Sequence, residues 1–286
     1  MKKIIVLLSF VCSLVSADIN IVVSIIPQKI FVEAIGGDKV TVSAMVQPGD
    51  SPHTYEPKPS QMISIAQADA YFTIGVEFEK SWMSRIEAQN KKMRLYDLSS
   101  GVQKMTIKEH HHGDKYEHEH EEDEGLDPHI WVSPVNVRII AKNIYEALMS
   151  LDAKNSDYYT ARYDDFLNTI DATDKEIKEI LFKTPKGAKF MVFHPSWGYF
   201  ARDYNLEQLA IEAEGKEPKP KQITHLLTEA KEEQVRAIFA SPEFSDIIAK
   251  QIAKELNIPV LKISPLASNW SENLIEFAKA IAKSEK

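Results

Sequence analysis

The chain has 286 residues, 44% of them hydrophobic, with 34 Lys and Arg against 42 Asp and Glu and a formal net charge of −8 at pH 7. That length and apolar content support a core large enough for two lobes, and the acidic balance with no basic stripe argues against nucleic acid as a partner and for cations. A single cysteine, Cys12, excludes a disulfide framework.

Residues 1–17, MKKIIVLLSFVCSLVSA, join a basic start at Lys2 and Lys3 to an apolar run and a small-residue cleavage site at Val15-Ser16-Ala17. This is the pattern of a secretory signal peptide. The apolar run is too short to span a bilayer, and Ser9-Phe10-Val11 ahead of Cys12 lacks the small residue of a lipid-attachment motif. Cleavage after Ala17 is expected to release a soluble exported protein that has lost its only cysteine and, with Lys2 and Lys3, carries a net charge of −10. In an oxidising compartment such a chain is held by its core alone.

From residue 18 onward, short β-rich runs alternate with amphipathic segments. Strands are predicted over 19–26, 39–46, 69–74 and 93–98, rich in Val, Ile and Tyr, with helices over 28–35, 59–66 and 79–88 between them. Gly36-Gly37 closes the first helix, and Pro57 and Pro59 bracket the start of the second. This rhythm implies a parallel sheet covered by helices. The run 108–125, KEHHHGDKYEHEHEEDEG, then packs five histidines and eight carboxylates beside two lysines. Its composition cannot build a core and suits either a solvated loop or a metal trap.

Helices follow over 135–151 and 155–182. The second carries Tyr159, Tyr163, Phe166, Ile170, Thr173, Ile177 and Ile180 at helical spacing, one continuous stripe. Thr184-Pro185-Lys186-Gly187 ends it, and the alternation restarts with strands over 189–193, 206–211, 236–240 and 259–263. Helices fall over 196–203, 220–233, 245–256 and 271–284. The fold class is therefore α/β. A lobe over 18–151 and a second over 185–286, each a parallel sheet flanked by helices, are joined by a long rigid helix within 152–184.

Ligands of parallel α/β sheets collect beyond the carboxyl ends of the strands. His53, in QPGDSPHTYEPKPS, and His194, in FHPSWGYF, both follow predicted strands, and His129, in DPHIWVSP, sits where the chain re-enters structure. Three histidines suit a borderline cation such as zinc. Their wide separation and the absence of a short motif such as HExxH leave open whether they meet or stand apart as surface residues.

PGDSPHTYEPKPSQM, DPHIWVSP and FHPSWGYFARDY together resemble the ligand segments of the metal-binding solute receptors of ABC importers, cluster A-I, and most closely the zinc-binding ZnuA type. The resemblance spans essentially the whole chain after residue 17. It implies that His53, His129 and His194 bind one metal between the lobes. It further implies a periplasmic, monomeric protein that captures Zn²⁺ and passes it to an inner-membrane permease.

Manganese-type members usually carry a carboxylate where His194 stands and an aspartate before the last Pro-Leu, where this chain has Ser264. The histidine favours zinc over manganese or iron, and the serine leaves the fourth ligand to water. Pro52 occupies the place from which some zinc members supply a glutamate. An acidic His-rich loop ahead of the second ligand is a feature of zinc-type members, which favours metal capture for 108–125.

Trp131, Trp197 and Tyr199 are read as packing around the cleft, His225 as ordinary surface, and Glu212 and Glu214 as part of a solvated loop in preference to cleft carboxylates. No phosphate-binding loop is present, so ATP hydrolysis belongs to a separate subunit. From a different class, a secreted zinc hydrolase shares the three-histidine set but would need a general base close to a ligand, which no short motif supplies.

Overall fold

The computed structural model describes residues 18–107, 125–212 and 218–284. The expected signal peptide, positions 108–124 of the acidic loop and Glu214 lie outside the described residues.

Two four-stranded sheets form the two lobes. In the first, β1 (Ile19–Val23), β2 (Val40–Ala44), β3 (Ala70–Thr73) and β4 (Arg94–Asp97) run in the spatial order β2-β1-β3-β4. In the second, β5 (Lys189–Val192), β6 (Glu207–Ala210), β7 (Ile238–Ala240) and β8 (Val260–Lys262) repeat that order as β6-β5-β7-β8. Every pairing is parallel. Burial follows position in the sheet. Central β1 buries Ile21, Val22 and Val23 in succession, whereas edge strand β2 buries Val40, Val42 and Ala44 and exposes Thr41 and Ser43. A central strand is covered on both faces by helices, so it reads as a continuous apolar run.

The first strand ends earlier than its composition predicts. Gln28 causes this: its Oε1 accepts from Ser24 N (2.9 Å) and Ile25 N (3.1 Å), and its Nε2 donates to Phe72 O (2.9 Å). Those bonds satisfy the backbone where the chain turns from sheet to helix, and Pro27 sets the first turn of α1 (Ile26–Gly36). Gly37 closes α1 at φ +54° and ψ −132°. A Cβ at Gly37 would also collide with Tyr158 Oη and the Arg162 guanidinium, so only glycine fits there.

The flanking helices of the first lobe are α2 (Pro59–Gln67), α3 (Glu77–Gln89) and α4 (Pro134–Leu151). Ser133 caps α4, its Oγ accepting from Asn136 N at 3.1 Å, with Pro134 in the first turn. The joining helix is α5 (Ser156–Leu181), 26 residues and so about 39 Å long. It buries Tyr159, Phe166, Ile170, Thr173, Ile177 and Leu181. The apolar stripe shifts by one residue at its end, from the expected Ile180 to Leu181. Tyr163 stays half-buried, its ring stacked on Tyr145 with centroids 4.7 Å apart.

The second lobe adds α6 (Gly198–Asp203), α7 (Pro220–Glu232), α8 (Ile247–Leu256) and α9 (Trp270–Ser284). Helices α1 and α4 pack on α5 from the first lobe and α9 packs on it from the second. Phe31 of α1 meets Phe166 of α5 at 5.5 Å and Trp270 of α9 edge-on at 5.4 Å. One hydrophobic core thus runs through both lobes and the strut between them. A hinge at α5 would have to open that core, so the geometry between the lobes is held by packing rather than by a loop.

Candidate metal centre

The carboxyl ends of both sheets face one cleft, and the strand-end loops populate it. His53 comes from the loop after β2, and His194 from the residues just beyond β5. His129 opens the buried turn Ile130–Val132 that leads into α4. The structure brings all three together: one ring nitrogen from each lies within 4.8 Å of the others, and among the described residues these three form the group able to hold a metal ion. His53 Nε2 and His194 Nε2 are 2.9 Å apart.

Each ring has a carboxylate behind it. His129 Nδ1 is 2.8 Å from Asp127 Oδ1, and His194 Nδ1 is 2.9 Å from Glu212 Oε2. His53 Nδ1 lies 2.9 Å from Glu77 Oε2, a close electrostatic contact rather than an in-line hydrogen bond, since that buried oxygen has no hydrogen-bond partner. A carboxylate oxygen accepts and cannot donate, so Nδ1 of His129 and Nδ1 of His194 carry the proton, and Nε2 of each keeps a lone pair. His53 Nε2 faces the His194 Nε2 lone pair at 2.9 Å, an approach that either a shared proton or a metal cation between the two nitrogens makes favourable.

Charge is arranged for that role. Burial holds His194 down at about 4 against the pull of Glu212, with His129 and His53 adding to the depression, so its imidazole is neutral at physiological pH. For Glu77, burial pushes upward but the His53 contact outweighs it and holds the carboxyl at about 2. It is therefore ionised and able to orient its histidine.

The other lobe fixes His129 in place. Tyr199 Oη donates to Asp127 O at 2.8 Å and accepts from Met105 N at 3.0 Å. Burial pushes Tyr199 up to about 12, so the hydroxyl keeps its proton. Trp131 Nε1 donates to Pro265 O, and Trp270 Nε1 donates to Trp131 O, each at 2.7 Å. Trp131, Trp197 and Tyr199 are buried as expected, yet Trp131 and Tyr199 are also cross-lobe ties. Phe244 stacks on His194 with centroids 4.6 Å apart, and Pro52, Trp131, Pro265 and Leu266 close the space around the rings.

Glu212 corrects the sequence reading. It is 8% exposed and bonded to His194, not part of a solvated loop. Its place directly beyond β6, beside β5 in the sheet, carries it under the histidine. Asp127, Glu77 and Glu243 were not singled out by the sequence. The signal available for Asp127 was its position two residues before His129. His225 lies on the exposed face of α7.

The family described as zinc-uptake complex component A, periplasmic (ZnuA) matches residues 21–284. The manganese ABC transporter substrate-binding lipoprotein PsaA of Streptococcus anginosus is 29% identical over 238 residues, 79% of this chain and 73% of that protein. The high-affinity zinc uptake system protein ZnuA of Bacillus subtilis is 27% identical over 248 residues, 84% of this chain and 77% of that protein. A crystal structure of ZnuA superposes with a TM-score of 0.85 at 40% identity, covering 94% of this chain and 100% of that one. The chain therefore belongs to the ZnuA family of metal-binding substrate-binding proteins of ABC transporters, which are receptors and not hydrolases.

Proposed function

We propose that this chain is a monomeric periplasmic zinc receptor. In this reading it captures Zn²⁺ as cargo with His53, His129 and His194, the fourth position taken by water, and delivers it to the permease of an inner-membrane ABC importer. The lobes are assigned to 18–151 and 185–286, with the strut in 152–184. One observation carries the choice of metal: the ligand group is three imidazole nitrogens, each backed by a carboxylate. Nitrogen donors suit zinc, whereas Mn²⁺ is weakest in the divalent affinity order and favours oxygen. The zinc uptake protein and the manganese lipoprotein among the relatives make the competition between these two metals the decisive test.

Competitive titration of the metal-free protein is expected to show one tight zinc equivalent that Mn²⁺ displaces only at more than about a hundredfold excess. Equal competition by Mn²⁺ would reverse the assignment.

The acidic loop is assigned a separate role. Deleting 109–124 is expected to remove further, weaker zinc equivalents in about the micromolar range while leaving the tight 1:1 site nearly unchanged, because a run whose composition offers almost nothing apolar must offset its own ordering entropy when it binds. Its negative charge is expected to speed cation encounter, less so at high salt. Titration against a tight chelator measures both; loss of the 1:1 site with the loop would place a principal ligand there.

A further inference from the structure

All four strands of the second lobe deliver a polar side chain to the cleft at their carboxyl ends: His194 after β5, Glu212 after β6, Glu243 after β7 and Ser264 after β8. The first two form the histidine–carboxylate pair described above. The second two form another pair, and no role has been given to it. Ser264 Oγ donates to Glu243 Oε1 at 2.5 Å, and Ser241 Oγ donates to Glu243 Oε2. Ser241, Glu243 and all three histidines line one cavity.

We propose that Glu243 forms the anionic wall of the fourth coordination position and accepts a hydrogen bond from the water that completes the metal's shell. The inference rests on the zinc-site reading and deepens it. Ser264 cannot take this part. Its one hydroxyl proton is given to Glu243, its Oγ accepts from Leu266 N at 3.0 Å, and its carbonyl accepts from Asn273 Nδ2 at 2.9 Å. Its Oγ keeps a second lone pair, but the group is neutral and so supplies no anionic wall.

Glu243 differs from the other three carboxylates in its partners: it is held by hydroxyls, whereas each of the others lies against an imidazole. Each of its oxygens keeps a lone pair after accepting one hydroxyl, so it can accept again from water. Because the group that closes to within 4.8 Å contains imidazoles alone, Glu243 acts through a bound water and not as a direct ligand. Its position is fixed by the next residue, Phe244, whose ring stacks on His194. Burial pushes the Glu243 carboxyl up, against the hydrogen bond from Ser264.

The test uses the mature chain with Zn²⁺ and with Co²⁺ as an absorbing substitute. Glu243→Gln keeps shape and removes charge. It is expected to weaken zinc about 10- to 100-fold with 1:1 stoichiometry intact, the usual effect of losing an outer carboxylate. Moving the carboxylate in E243Q/S264D is expected to recover at least about tenfold of that loss.

The bound water supplies a readout that a purely structural role would not move. A neighbouring carboxylate disfavours hydroxide, so the pH-dependent change in the Co²⁺ spectrum is expected about one unit lower in E243Q than in wild type. Glu243→Asp, which keeps the charge, is expected to hold that transition near the wild-type pH. Wild-type zinc affinity and an unmoved transition in E243Q would overturn the proposal. So would an E243D transition shifted as far as that of E243Q. Failure of the zinc reading itself looks different: wild-type protein would bind no zinc, or H194A would bind it unchanged.

Discussion

Alanine at any one of His53, His129 or His194 is expected to weaken zinc binding by roughly two to three orders of magnitude. A structural zinc site is worth about 10–16 kcal/mol. Shared over four ligands this is roughly 2.5–4 kcal/mol each, and every 1.4 kcal/mol is tenfold in affinity. The three variants are not equivalent in the metal-free protein. His129 and Asp127 are buried at 4% and 2% exposure, so H129A leaves a carboxylate in the interior with one donor fewer. Asp127 still accepts from the backbone N of position 129, which limits the damage to about 1–3 kcal/mol of stability. His53 is more exposed, with 23% of its side chain accessible, and H53A is expected to lose affinity with almost no change in melting temperature. Calorimetric zinc titration, paired with melting of the metal-free proteins, separates the two effects. Tight 1:1 binding preserved in all three variants would remove these residues from the site.

The order of losses also separates ligands from the carboxylates behind them. Glu212→Gln keeps the shape of the side chain but weakens its hold on His194 Nδ1, and effects of that kind are about 10- to 100-fold. Each histidine variant is therefore expected to fall below it.

How far the sequence exposes this arrangement depends on whether a feature is local. Strand β1 was legible as a short continuous apolar run and helix α5 because its apolar residues recur at the helical period, and both are local properties. Even there the ends slipped. The end of β1 is set by the Gln28 side chain reaching back to Ser24 and Ile25, which no periodicity records. The histidines were visible as residues at the carboxyl ends of strands, but their meeting depends on two sheets facing each other across α5, a property of the whole fold. The resemblance to a receptor family supplied that link. The outer carboxylates were the hardest to see. Glu212 stands in IEAEGKEPKP, a charged stretch of the kind that usually faces water. It is buried only because β6 lies beside β5 and delivers it under His194. Glu77, the first residue of α3, and Glu243, beyond β7, are equally unremarkable in sequence.

The packing under the site yields the largest expected effect on stability. Phe277 of α9 is fully buried and touches four aromatic rings of the second lobe. Its centroid lies 3.9 Å from Trp197, 4.9 Å from Phe239, 5.0 Å from Phe200 and 5.3 Å from Phe190. Phe277→Ala leaves a ring-sized cavity among stiff side chains that cannot collapse into it, so the cost is expected near the usual 3–5 kcal/mol for such a truncation. For a chain of this size each kcal/mol lowers the melting temperature by about 2–4 °C, so a fall of roughly 10 °C is expected in the metal-free protein. Zinc should recover part of it by mass action, because it binds only the folded state. Trp197 stands three residues after His194, and its backbone N donates to Gln208 Oε1 at 2.8 Å. That bond anchors the ligand segment to β6 independently of the aromatic cluster, so zinc affinity in F277A is expected to fall less than tenfold. Scanning calorimetry with and without zinc, together with a zinc titration below the melting range, measures both quantities. A small loss of stability would mean that α9 is not the floor of the second lobe, and a large loss of affinity would mean that the cluster, rather than the bond to β6, positions His194.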